Sequence, residues 1–239
     1  MGNTDFVRII LASASAQRAD ILKKAGFSVL VKAAFFDEEE FARAHKPSVP
    51  VSLENAKKYV QKLALEKLQN AIKNVTIDSS DVVVAADTIV LVDGQFLEKP
   101  KDKAECIHQH NFLNNKTNHT MTAIAVAVQD TAFSFQHSGD SEQHIASSRA
   151  GHTEFSKVIS ENNFKIAYGV RVSEVFIGGL SGCVIDQICS NPNSLNSCGF
   201  RISERVSEYA KFDKGCYNNI LGLDIDLLNT LIKQVKGVR

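Results

Sequence analysis

Val82-Val83-Val84-Ala85-Ala86-Asp87-Thr88, followed by Ile89-Val90-Leu91-Val92 and the pair Asp93-Gly94, is the stretch whose reading decides the fold. Five consecutive apolar residues leave no polar face, as expected of a strand covered by helices on both sides. The second apolar run ends in Asp-Gly, two residues that tolerate the positive φ of a tight hairpin turn. A doubly buried strand needs helical layers, and the flanking sequence supplies them. Upstream, Leu53 to about Ile72 carries Ala56, Val60, Leu63, Ala64 and Leu68 on or near one helical face.

Working outward, Val7 to Ala12 reads as a short buried strand and Arg18 to Ala25 as a helix stopped by Gly26. Phe27 to Ala33 reads as a second strand, and Pro47 and Pro50 mark a loop. Downstream, a helix is predicted over Lys103 to Leu113 and strands over Met121 to Val128 and Val170 to Ile177. Further helices are expected near Gly182 to Cys189 and from about Ile225 to Val235. Strands mixed with helices indicate an α/β fold, without fixing strand order. Gln129 to Asn163 is rich in Ser, His, Gly and Gln and lacks periodicity, so it reads as a surface insertion. With that exception the 239 residues read as one domain, 1–239.

Composition narrows the function. The chain has 27 basic and 27 acidic residues, so no global field draws it to a polyanion, and extended nucleic-acid binding is not expected. A small anionic substrate needs only a few local cations and stays open. No apolar run is long enough to span a bilayer, and no leader-like segment opens the chain, so a soluble, cytoplasmic protein with no membrane partner is expected. The five cysteines show no C-x-x-C pair and no zinc-ligand spacing, which predicts unpaired thiols in a reducing compartment.

Several residues carry possible chemistry. Ser13 and Ser15 stand where a strand gives way to a helix, whose N-terminus presents backbone N–H groups suited to phosphate. Arg18 in the first turn suits phosphate oxygens too, although taken alone a plain serine cap with a solvated arginine is the commoner case. Asp87, at the end of the VVVAA run, stands where open α/β sheets place ligands; metal binding, activation of water and turn capping all remain open. Lys67 falls on the apolar stripe of its helix, so it needs an anionic partner or must snorkel to water. Lys99 supplies another cation. Asp37 and Glu38 belong to a charge run that reads as a solvated face by itself, yet magnesium favours carboxylates together with phosphates.

In this order the elements resemble the Maf family of nucleotide pyrophosphatases. Leu11-Ala12-Ser13-Ala14-Ser15-Ala16-Gln17-Arg18 is similar to the family's L-A-S-x-S-P-R-R, with Ala16-Gln17 in place of Pro-Arg. Asp37-Glu38 resembles its acidic pair, and Leu63-Ala64-Leu65-Glu66-Lys67-Leu68 its L-A-x-x-K-A helix. Ala85-Ala86-Asp87-Thr88, Asp93-Gly94 and Lys99-Pro100 resemble G-A-D-T followed by D-G-x-x-x-x-K-P. Leu113 to Thr122 and Gly215 to Leu223 resemble two further segments.

The resemblance implies a mixed-sheet, elongated, two-lobed fold like that of inosine triphosphate pyrophosphatases, with a central cleft. It implies hydrolysis of nucleoside triphosphates, modified ones included, to monophosphate and pyrophosphate. Asp87, Lys67 and Lys99 would be catalytic, with Ser13, Ser15 and Arg18 on the phosphates. Asp37, Glu38 and Asp87 would hold Mg2+ or Mn2+. Gln17, Thr88 and Ser203 would select the base, between dTTP or UTP and 7-methyl-GTP or other modified nucleotides. A homodimer stays open, as does a nucleotide-binding regulator of septum formation or cell division with little turnover.

Overall fold

The computed structural model describes residues 7–33, 36–130, 143–149, 152–161, 163–191, 194–195 and 207–237. Among these residues the centre is a nine-stranded mixed sheet. The strands are β1 (Arg8–Leu11), β2 (Ser28–Val31), β3 (Val82–Val92), β4 (Gln95–Leu97), β5 (Lys116–Gln129), β6 (Gln143–Arg149), β7 (His152–Glu161), β8 (Phe164–Ile177) and β9 (Ala210–Lys214). Their main order is β2-β1-β3-β5-β8-β7-β6, with β4 beside β3 and β9 beside β8. β1 runs parallel to β2 and β3, and every other pairing is antiparallel. The helices are α1 (Ala16–Lys24), α2 (Glu38–His45), α3 (Leu53–Asn74), α4 (Lys103–Leu113), α5 (Gly182–Cys189), α6 (Tyr217–Ile220) and α7 (Ile225–Lys236). No helix among the described residues is long and apolar enough to cross a membrane.

β3 explains the arrangement. Side chains alternate along a strand, so Val82, Val84 and Ala86 enter one core layer with Leu22 of α1 and Leu227, Leu228 and Leu231 of α7. Val83 and Ala85 enter the opposite layer with Ala56, Val60, Ala64 and Leu68 of α3. Burying each large aliphatic side chain contributes roughly 1.5–3 kcal/mol before entropy is subtracted. A third cluster packs α4 and α5 against the far ends of β3 and β8. The hairpin after β3 turns at Asp93 (φ 47°) and Gly94 (φ 74°). A Cβ on Gly94 would also come within 3.0 Å of Pro50, so both backbone and space call for glycine there.

Two expectations are revised. The segment read as an aperiodic insertion contains β6 and β7, and β7 is integrated into the sheet beside β8. Val158 packs against one helical layer and Ile159 against the other. Gln234 of α7 donates to Ser156 at 3.0 Å, and Gln69 of α3 donates to Glu161 at 2.7 Å. Alternating polar residues mask a strand that pairs with its sequence neighbours β6 and β8 but packs against helices far away in sequence. A helix also forms at Glu38–His45, because Asp37 accepts from the Glu40 N–H at 2.8 Å and the first turn is acidic.

The expectation of unpaired cysteines is corrected. Cys106 of α4 and Cys189 of α5 form a disulfide, 83 residues apart in sequence and 5.7 Å between Cα atoms. Local spacing cannot reveal such a pair. The bond also removes the compositional argument for a reducing compartment. His110 lies 3.6 Å from each sulfur, and its Nδ1 faces the Cys106 carbonyl at 2.8 Å, which makes that nitrogen the donor. Burial holds its imidazole below the ordinary value, with the carbonyl contact acting in the other direction.

Two predictions follow from these contacts. Reduction of Cys106–Cys189, or Cys189→Ser, should lower unfolding stability by about 2–4 kcal/mol; identical urea curves with and without reductant would show that the crosslink contributes nothing. The second concerns acid. Arg8 bonds Asp81 through Nε at 2.7 Å and Nη2 at 2.6 Å. The hydrogen bonds from Arg8 hold the Asp81 carboxyl below its ordinary value of 3.8. Its contribution is therefore present above that value and lost as pH falls through the lower folded-state value. Asp81→Asn should flatten the stability loss between about pH 5 and about pH 2, as followed by thermal melts.

Candidate active site

β3 has a neighbour missing along part of one edge. β1 pairs with it only from Val82 to Val84, and β4 only from Val90 to Val92. On that edge Ala85 to Ile89 have no strand partner among the described residues, while β5 runs unbroken along the other. After Leu11, the Ala12 N–H still reaches the Val84 carbonyl at 2.8 Å, and then the chain leaves the sheet at Ser13. Asp87 is thus not at the end of a strand, as the sequence suggested. It sits mid-strand where the neighbouring strand ends, because the apolar run continues from Ile89 to Val92.

Period-two alternation sends Asp87 to the α3 face and Thr88 to the α1 and α7 face. On the α3 face, Lys67 Nζ lies 2.6 Å from Asp87 and 2.8 Å from Glu38. The Lys67 side chain is 11% exposed and that of Asp87 15%, whereas Glu38 is 64% exposed. Lys67 therefore takes anionic partners rather than snorkelling. Asp37 instead caps α2, so the structure brings Glu38 and Asp87 together and leaves Asp37 as a cap. Tyr59 was not singled out from sequence. Burial raises its phenol pKa, and the charges of Asp87, Glu98 and Glu38 add to the rise. Its ring stacks on Phe96, 5.5 Å between centroids.

On the opposite face, Arg18 is fixed at three points. Its Nε donates to the Gly222 carbonyl at 2.9 Å, Nη1 to Ser13 Oγ at 3.1 Å and Nη2 to Thr88 Oγ1 at 3.1 Å. Ser15 caps α1 by accepting from the Arg18 N–H, and Ser13 Oγ accepts from the Ser15 N–H. Gln17 is exposed on α1. Lys99 is exposed between β4 and α4, next to Glu98, whose carboxylate pairs with Lys46. Ser203 lies outside the described residues. Thr122 and Asn219, also unassigned from sequence, complete this face. Both stood inside quoted motifs, Leu113 to Thr122 and Gly215 to Leu223, which was the available signal.

The donor chemistry fits a divalent ion at Glu38 and Asp87. Their carboxylates converge on one cationic atom, and oxygen donors of this kind suit magnesium or manganese. Among the described residues, the group of three His, Cys, Asp or Glu side chains compact enough to hold an ion is Cys106, His110 and Cys189. There the disulfide occupies both sulfurs.

The fold and the site thus define a mixed α/β-sheet protein with a carboxylate–ammonium centre on one face of β3 and a clamped arginine on the other. Residues 8–235 match the family described as Maf-like protein, and the chain belongs to that family. It is 34% identical over 125 residues to a dTTP/UTP pyrophosphatase of Photobacterium profundum, covering 51% of this chain and 59% of that relative. A dTTP/UTP pyrophosphatase of Salmonella typhimurium is 35% identical over 119 residues, covering 50% and 54%. The chain thus spans little more than half the length of these two relatives. A dTTP/UTP pyrophosphatase of Clostridium botulinum is 22% identical over 230 residues, covering 95% of this chain and 96% of the relative.

The exposures predict unequal stability effects. Lys67→Met leaves Asp87 half-enclosed without its cation and should cost about 1–3 kcal/mol, whereas Glu38→Gln on the wet side should cost under about 1 kcal/mol. Equal losses in chemical denaturation would show that the two contacts do not differ in this way.

Proposed function

We propose that this protein hydrolyses nucleoside triphosphates between the α and β phosphates, releasing monophosphate and pyrophosphate. The observation that carries the reading is the convergence of Glu38 and Asp87 on Lys67 where β3 loses its neighbour. Family membership and the printed activities of the relatives support the same reaction class. In this reading the open stretch of β3 floors a cleft between two lobes.

Glu38 and Asp87 would hold Mg2+ or Mn2+, with Asp37 close by in the chain. A bound ion neutralises polyphosphate charge and makes its water more acidic. Asp87 accepts the proton of the attacking water, or orients that water, from a position fixed by Lys67. Lys67 and Lys99 counter charge developing on the phosphates. Arg18, Ser13 and the early N–H groups of α1 bind the phosphate chain. Ser15 shapes that helix start as its cap. Gln17, Thr88 and Ser203 are the positions proposed to select the base. The Thr88 hydroxyl is already engaged by Arg18 and Thr122, so its contact to a base would come through its methyl group or its backbone. Lone chains or a homodimer serve this chemistry equally.

Pyrophosphate release from dTTP, UTP and 7-methyl-GTP, assayed with Mg2+ and with Mn2+, tests the proposal. At least one should be hydrolysed, and Asp87→Asn should lower kcat by roughly 10²–10⁴-fold. Binding of these nucleotides with no release above the Asp87→Asn background would favour a nucleotide-binding regulator instead.

A further inference from the structure

The clamp on Arg18 continues into the sheet as a chain of hydrogen bonds with only one allowed direction. Thr88 and Thr122 are register partners on β3 and β5, and their hydroxyl oxygens lie 2.9 Å apart. Thr122 Oγ1 is 2.8 Å from the backbone carbonyl of Asn219. A carbonyl only accepts, so Thr122 commits its single proton there. It must then accept from Thr88, which commits its own proton to Thr122. That leaves a Thr88 lone pair for Arg18 Nη2, 3.1 Å away, and a guanidinium only donates. The hydroxyl protons of Thr88 and Thr122 are therefore both assigned, one to Thr122 and one to the Asn219 carbonyl.

The acceptor end is anchored as firmly. Asn219 is fully buried. Its Nδ2 donates to the Thr120 carbonyl at 3.1 Å and to Ser173 Oγ at 2.8 Å. Ser173 Oγ also accepts from the Cys216 N–H at 3.2 Å. Gly215 has φ 115°, and a Cβ there would lie 2.2 Å from Ser173 Oγ. Only glycine lets α6 settle this close to β8. The α6 turn then leads to Gly222, whose carbonyl takes the Arg18 Nε–H.

We infer that Thr122 is a positioning residue for Arg18: by donating to the Asn219 carbonyl it forces Thr88 to present a lone pair to the guanidinium. Removing the Thr122 hydroxyl leaves the Thr88 proton without its acceptor. The Thr88 hydroxyl then turns and competes with Arg18 for the same space. Serine at position 122 keeps the proton and the direction of the chain. This inference rests on the pyrophosphatase reading only for its kinetic consequence.

The test pairs Thr122→Val with Thr122→Ser and follows the Arg18 Nε–H signal by NMR, assigned through its loss in Arg18→Lys. The signal should be retained in the wild type and in Thr122→Ser, and broadened or shifted in Thr122→Val. In turnover, Thr122→Val should raise KM about tenfold with kcat changed less, and Thr122→Ser should stay within about twofold. In an Arg18→Lys background the Thr122→Val effect should vanish, because both changes act on one guanidinium. An unchanged Arg18 signal and KM in Thr122→Val, or full additivity with Arg18→Lys, overturns the inference. If Thr122→Val does not fold, Thr122→Ala carries the same comparison. If the wild type shows no turnover, the pyrophosphatase reading falls while the NMR comparison still decides the role of Thr122.

Discussion

The constraint on which the structure depends is that β3 must be covered on both faces and yet lose one neighbour partway along. Its alternating Val and Ala side chains pin α1 and α7 to one side and α3 to the other. Hydrogen bonding to β5 runs unbroken from Val83 to Leu91 and keeps the strand straight through the gap. The opposite edge opens at Ala85 because β1 has only four residues before Ser13 begins the turn into α1. Along that open edge the consecutive residues Asp87 and Thr88 carry their polar side chains to opposite faces, one to Lys67 and the other to Arg18. The fold therefore creates a polar locus without breaking the core that supports it.

The two faces solve different electrostatic problems. On the α3 side a nearly buried ammonium needs compensation, and one enclosed carboxylate plus one wet carboxylate provide it. Burial of Lys67 without Asp87 would leave a cation in low dielectric, which is far costlier than the loss of a surface pair. On the α1 side the problem is orientation. Arg18 would otherwise sample many rotamers, and three acceptors fed by Ser13, Thr88 and Gly222 hold its plane. Hydroxyl and carbonyl oxygens suit that task because each accepts an N–H along a fixed direction in the guanidinium plane. Asp224 and Arg171, paired at 3.1 Å on the same side, lock the start of α7 to β8. The loop carrying Gly222 is thereby bounded on both ends.

Much of this was legible in the sequence, for physical reasons that differ by element. The VVVAA run announced double burial because no polar residue interrupts it, and Asp93-Gly94 announced the hairpin through its φ requirement. Lys67, falling on an apolar stripe, left an anionic partner or a snorkelling ammonium open, and the fold decides for the partner. Asp87 was placed one step wrong: a charged residue after an apolar run looks like a strand end, and only pairing with β5 shows that the strand continues. β7 was missed because its Ser, Lys and Glu residues weaken the periodic signal, while its contacts to α3 and α7 are non-local. The Cys106–Cys189 bond is equally non-local. Thr122 and Asn219 carry no charge, so residue chemistry alone did not single them out; direction in a hydrogen-bond chain exists only once the fold joins four segments.

The central claim is that Glu38 and Asp87, gathered by Lys67 at the open edge of β3, form the centre of the reaction. Anomalous scattering from crystals grown with Mn2+ and an α,β-methylene triphosphate analogue tests it most directly. The account predicts manganese bound by oxygens of Glu38 and Asp87 at roughly 2.0–2.3 Å, with the phosphate chain running from it toward Arg18 and Ser13. Manganese held elsewhere while Lys67 still bridges both carboxylates, with the phosphates away from Arg18, would contradict it.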